Sequence, residues 1–138
     1  SADLRALDAR LGDERIGLLP STRDYAERIL SCRNDPFRLL AHHYTRYLGD
    51  LSGGQAMRVM LDRAYGLPDE QAAFFRFEEI GPIPPFKRRY RAALDRLELR
   101  RDDADRLVDE AIASFDCNAR IFTDLEEIVA TPRPALTA

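Results

Sequence analysis

Apolar residues recur along the chain at three- and four-residue intervals, the period of helices packed on one side. Leu4, Leu7 and Leu11 stand at i, i+3 and i+7, and Gly12 ends that segment. Leu18-Leu19-Pro20 reads as a loop. Ser21 or Thr22 is then placed to cap a helix reaching about Cys32, with Tyr25, Ile29 and Cys32 on its buried face. Asp35-Pro36 has the form of an N-cap followed by proline at the first helical position, where no N–H is needed. From there the periodic pattern runs to Tyr65, and Gly66 and Pro68 supply its stop.

A shorter segment from Asp69 carries Phe74, Phe75 and Phe77, then breaks at Gly81-Pro82-Ile83-Pro84-Pro85, which no helix interior tolerates. Pro85 is placed to open a helix over Phe86 to about Leu97. A last helix from Asp102 to about Val129 sets Leu107, Ala111, Ser114, Phe115 and Asn118 toward one side. Alternating strand patterns, internal repeats and low-complexity tracts are all absent from the sequence. The expectation is an all-α, single-domain helical bundle over residues 1–130 with an irregular tail at 131–138.

Composition narrows the class without naming a task. In 138 residues, 45% are hydrophobic and 33% charged, enough apolar matter for a core and too much for a disordered chain. Lys and Arg number 21 against 24 Asp and Glu, a net charge of −3, so no global basic field points to nucleic acid. Lys87 to Arg101 is locally basic, but Asp95 and Glu98 interrupt it. Apolar runs are too short for a membrane span, and no charged-then-apolar leader opens the chain. Cys32 and Cys117 make neither a disulfide framework nor a zinc pattern, which predicts a reducing, cytoplasmic compartment.

The informative stretch is Leu40-Ala41-His42-His43-Tyr44-Thr45-Arg46-Tyr47-Leu48-Gly49-Asp50-Leu51-Ser52-Gly53-Gly54-Gln55. It places three glycines inside the longest helical pattern, at a combined cost of about 3 kcal/mol relative to alanine. At about 100° per residue, Arg46, Gly49, Asp50, Gly53 and Gly54 share one broad face. Two readings compete. Small residues four apart let two helices approach closely. Alternatively, a flat rigid ligand lies on the bare backbone, with Arg46 and Asp50 at its edge and the cations Lys87 and Arg91, four apart, nearby. His42 and His43 point about 100° apart on a helix and do not both face one metal ion, so they read as structural or surface residues.

The run from Ala41 to Gln55 resembles the distal-helix signature of the heme oxygenases. The similarity continues in Phe74-Phe75-x-Phe77, in Phe86-Lys87-x-x-Tyr90-Arg91, and in Ala113-Ser114-Phe115-x-x-Asn118 with Phe122 beyond. It spans about Leu18 to Ile128. The resemblance implies a heme that is both cofactor and substrate, opened with O₂ and electrons from an external donor to biliverdin, CO and iron. Among matching positions, Gly49, Gly53 and Gly54 would bring backbone to the distal heme face, and Asp50 would hold a water for indirect proton delivery. Arg46 would orient Asp50, with Tyr25, Thr45 and Asn118 in the same water network. Lys87 and Arg91, with Tyr44 as a third partner, would bind the propionates, and Phe115 would form pocket wall.

Plainer readings stand beside these: a surface helical pair for Arg46 and Asp50, a solvated basic face for Lys87 and Arg91, simple core for Tyr25 and Phe115. The family's proximal histidine, in a His-x-x-Ala-Glu-like stretch, has no match here, and neither the histidines nor the cysteines replace it as iron ligand. The expectation is therefore the distal, C-terminal part of a heme oxygenase domain of soluble bacterial type, serving iron acquisition. Alone it would bind heme weakly without turnover, and a separate N-terminal fragment could carry the proximal histidine. The rival from another class is a non-catalytic heme carrier or helical interaction module. No nucleic-acid or membrane partner is expected.

Overall fold

The structure, a computed structural model, describes Arg5 and residues 17–130. The segment built on Leu4, Leu7 and Leu11 and the 131–138 tail lie outside the described residues. Among the described residues all regular structure is helical, as the periodicity predicts. The elements are α1 (Pro20–Ser31), α2 (Pro36–His43), a π-helical segment (Tyr44–Leu48), α3 (Gly49–Tyr65), two 3₁₀ segments (Asp69–Phe75 and Glu78–Ile80), α4 (Ile83–Leu94) and α5 (Arg101–Ala130). They fall into two compact units, one of residues 43–102 and one of residues 17–42 and 103–130. No described helix is long and apolar enough to cross a membrane.

In the second unit, α1 starts earlier than its hydroxyl residues suggest. Leu19 is the N-cap with extended backbone (φ −64°, ψ 146°), and Pro20 opens the helix. Proline arrives with a helical φ and no N–H to satisfy, so it outcompetes Ser21 and Thr22 for the boundary. Ser21 is instead buried inside the first turn, and its free N–H donates to Asp124 Oδ2 of α5 at 3.3 Å. At α2 the expected cap is present: Asp35 Oδ1 accepts from the N–H groups of Phe37 and Arg38 at 3.2 and 3.3 Å. Tyr25 and Cys32 are buried as expected, and Ile29 is half-buried.

In the first unit, the π-helical segment widens the turn that carries Tyr44, Thr45 and Arg46. Leu48 and Leu51 point inward and are buried, as is Ala72 of the first 3₁₀ segment. Gly66 ends α3 with left-handed backbone (φ 58°, ψ 45°), its N–H donating to Asp62 O at 2.7 Å. Gln55 Nε2 donates to Phe75 O at 2.7 Å and Arg58 pairs with Asp69, so α3 holds the 3₁₀ segment against itself. Helix α4 begins at Ile83, before the expected Phe86, and ends at Leu94. Pro84 and Pro85 fit within its first turn, where N–H groups have no helical acceptor.

Candidate functional site

The three glycines of the long helix separate into two kinds. A Cβ built on Gly54 would lie 2.9 Å from Phe75 Cδ1, so that glycine is explained by close packing inside the unit. A Cβ on Gly49 or Gly53 would meet nothing within 4 Å among the described residues. Both are exposed and one helical turn apart. Among the described residues nothing requires these two positions to be bare, yet each costs roughly 1 kcal/mol of helix stability. The packing reading accounts for Gly54, and the ligand reading is left with Gly49 and Gly53.

The charged pair sits on the same helix. Arg46 Nη2 lies 3.8 Å from Asp50 Oδ1 across one turn, the arginine side chain 44% exposed and the aspartate 26%. Such a loose pair contributes a few tenths of a kcal/mol at most. Partial burial pushes the Asp50 carboxyl above its ordinary value, against the opposing pull of Arg46. Thr45 is buried and Tyr44 is exposed at the rim of the π-helical segment.

The basic residues come from α4. Lys87 Nζ donates to Ser52 Oγ at 2.6 Å, and Ser52 Oγ donates to Leu48 O at 2.6 Å, which ties the ammonium to the residue preceding Gly53. Arg91, one turn along α4, is exposed. Phe115 and Asn118 lie on α5 in the second unit. Phe115 is 61% exposed, which removes the plain-core reading for it, and Asn118 is half-buried. Tyr25, also in that unit, is buried with its hydroxyl 2.6 Å from Ser114 Oγ, a partner the sequence pattern did not supply.

The two histidines divide as structural and surface. His42 is buried, with Nε2 2.9 Å from Glu110 Oε1. Burial lowers its pKa, although the Glu110 hydrogen bond opposes the shift. Because Glu110 is ionised and can only accept, the neutral ring carries its proton on Nε2. His43 is exposed and bonds through Nδ1 to Tyr90 Oη at 2.6 Å.

Glu110 is a group that sequence reasoning missed. Its carboxylate accepts from Arg28 Nε at 2.6 Å, Arg28 Nη2 at 3.0 Å and Arg38 Nε at 2.7 Å, besides His42. Burial alone would raise its pKa; the two guanidinium groups overcome that and bring it down to about 2. The buried Cys32 thiol stands 3.6 Å from Glu110 Oε1 and 3.8 Å from His42 Nε2, and desolvation pushes its pKa up. Cys32, His42 and Glu110 form a metal-sized trio, but two arginines already neutralise the carboxylate, and the cluster reads as a bolt joining α1, α2 and α5. The sequence offers one partial signal, that Glu110 lies one turn from Ser114 on the face with Leu107 and Ala111; its partners, far away in sequence, are not visible there.

The exposed face over Gly49 and Gly53 thus carries the Arg46–Asp50 pair along one helix, with Lys87 bonded to Ser52 of that helix. The sequence profile of the heme oxygenases matches residues 1–124. This chain belongs to the heme oxygenase family. It is 44% identical over 115 residues to heme oxygenase 1 of Nostoc sp., covering 82% of this chain and 48% of that protein. Against heme oxygenase 2 of Oryctolagus cuniculus it is 37% identical over 123 residues, 87% of this chain and 39% of that one. Its fold superimposes on heme oxygenase-2 of Synechocystis sp., solved in complex with heme and NO, with a TM-score of 0.83 and 33% identity over 93% of this chain and 55% of that chain. The chain thus spans about half the length of the relatives it matches.

Proposed function

We propose that this heme oxygenase chain forms the distal part of a heme-degrading site and that the complete protein converts heme to biliverdin, CO and iron. The observation that carries the reading is the open face over Gly49 and Gly53, bare where nothing among the described residues demands it. Bound heme supplies both the iron that activates O₂ and the ring that is opened. Gly49 and Gly53 let the backbone approach a flat ring closely, while Gly54 lets Phe75 pack beneath the same helix. Asp50, half-buried and turned toward higher pKa, holds a water at the edge of that face and passes its proton; Arg46 steadies the carboxylate. Thr45 extends the water network. Tyr44, Lys87 and Arg91 hold the propionates.

Neither histidine of this chain is offered to iron. His42 is committed to Glu110 and His43 to Tyr90. A side chain to hold the heme iron would come from polypeptide other than these residues. The exposed apolar side chains Val108, Ile112, Phe115 and Phe122 of α5 suit such an added segment. An external redox partner supplies the electrons, in the cytoplasm, and the released iron is the product of use.

The test is hemin added to the complete protein, followed through its Soret band under reductant and O₂. An oxygenase consumes the band and yields biliverdin, a carrier retains it, and an interaction module never forms it. Asp50→Ala should keep heme affinity and lose most of the biliverdin yield; an unchanged yield would overturn the role given to Asp50.

A further inference from the structure

Helix α4 bears two adjoining columns of side chains. Phe86 and Tyr90, four apart, form one; Lys87 and Arg91, also four apart, form the next, about 100° around the helix. The aromatic column is the one that docks. Tyr90 stacks on His43 with rings 5.5 Å apart and an interplanar angle of 18°, and its hydroxyl meets His43 Nδ1 at 2.6 Å. His43 in turn stacks on Tyr47 at 5.0 Å and 27°. Phe86 meets Tyr47 edge-on at 5.9 Å. Four rings thus interlock α4 with the turn at the start of the π-helical segment. Ring pairs of this kind contribute about 0.5–1.5 kcal/mol each beyond burial, and the hydrogen bond adds a direction that stacking lacks.

The consequence falls on the neighbouring column. With Phe86 and Tyr90 fixed, rotation of α4 about its axis is blocked, and Lys87 is delivered to Ser52 beside Gly53. We propose that His43 and Tyr90 are a positioning pair: they hold α4 in register with the glycine-bearing helix, so that Lys87 and Arg91 present a fixed two-point contact to the paired carboxylates of a planar ligand. This rests on the reading of Lys87 and Arg91 as propionate partners. His43 and Tyr90 touch no ligand themselves. Their effect is one of pitch: a turn of α4 by a few tens of degrees moves both cations together, and a two-point contact tolerates such a shift poorly.

The pair is tested by comparing affinity for heme with affinity for heme dimethyl ester, which has the same ring without the anionic charges. In the parent protein, heme should bind at least tenfold tighter than the ester, and Lys87→Ala should close most of that gap. Tyr90→Phe, which keeps the ring and removes the hydroxyl, should narrow the gap several-fold with the ester affinity unchanged. His43→Phe, which keeps the stack and removes the nitrogen, should match it, so one poorly folding variant does not decide the matter. A gap that survives both substitutions, or equal losses for both ligands, would overturn the positioning role while leaving Lys87 in place. A parent protein that does not distinguish heme from its ester would overturn the propionate reading and this proposal with it.

Discussion

The Glu110 cluster and the Gly49–Gly53 face are the two most unusual regions of the chain, and they are unusual in opposite ways. Around Glu110, charged and polar groups are buried at apparent cost, yet both carboxylate oxygens meet donors from three side chains. Along Gly49 and Gly53, side chains are missing at apparent cost, and no atom of the described residues lies within 4 Å of where they would be. The first expense is recovered within the fold, so the cluster is explained by stability. The second is not recovered among the described residues, which is the ground for the proposed ligand face. Gly54, in the same helix, shows that glycine alone does not mark a ligand face: its neighbour is Phe75.

The comparison breaks most visibly at Glu110. Glu110→Gln removes the charge facing two guanidinium groups, and because Arg28 and Arg38 are 39% and 30% exposed they recover part of their hydration. The expected loss is about 3 kcal/mol, near the low end for a broken buried pair, with heme affinity little changed. Chemical denaturation across pH sharpens this. The carboxyl lies at about 2 in the fold against 4.5 ordinarily, so its contribution is full above about pH 4.5 and is lost as pH falls toward 2. The stability gap between parent and variant should therefore shrink on acidification through that window. A gap independent of pH would mean that the ionised carboxylate is not the source.

Gly54→Ala comes next. Its Cβ must displace the Phe75 ring, a strain of about 1–3 kcal/mol that outweighs the gain in helix propensity, so the melting temperature should fall. Gly49→Ala should do the reverse, raising stability by up to about 1 kcal/mol while weakening heme binding. Opposite signs at two glycines of one helix are the clearest evidence that they serve different masters; equal signs would dissolve the distinction.

Much of this was legible in the sequence. The helical period, the Asp35 cap, the stop at Gly66 and the glycine run all appear there, because each rests on contacts within a few residues. Helix starts at Pro20 and Ile83 were misplaced, because proline's freedom from an N–H acceptor competed with hydroxyl caps in one case and with a simple breaker reading in the other. The Glu110 bolt was not read, since it joins residues 68 to 82 positions apart and its charges resemble an ordinary solvated helix. The division among the glycines was also hidden. Periodicity places all three on one broad face, and only the position of Phe75 takes Gly54 off it.

The most direct measurement is a hemin titration of Gly53→Leu beside the parent protein, with thermal melts of both. If the bare face receives the heme ring, affinity should fall by at least an order of magnitude while the melting temperature holds or rises. A variant that binds hemin as tightly as the parent would show that nothing lies against this face.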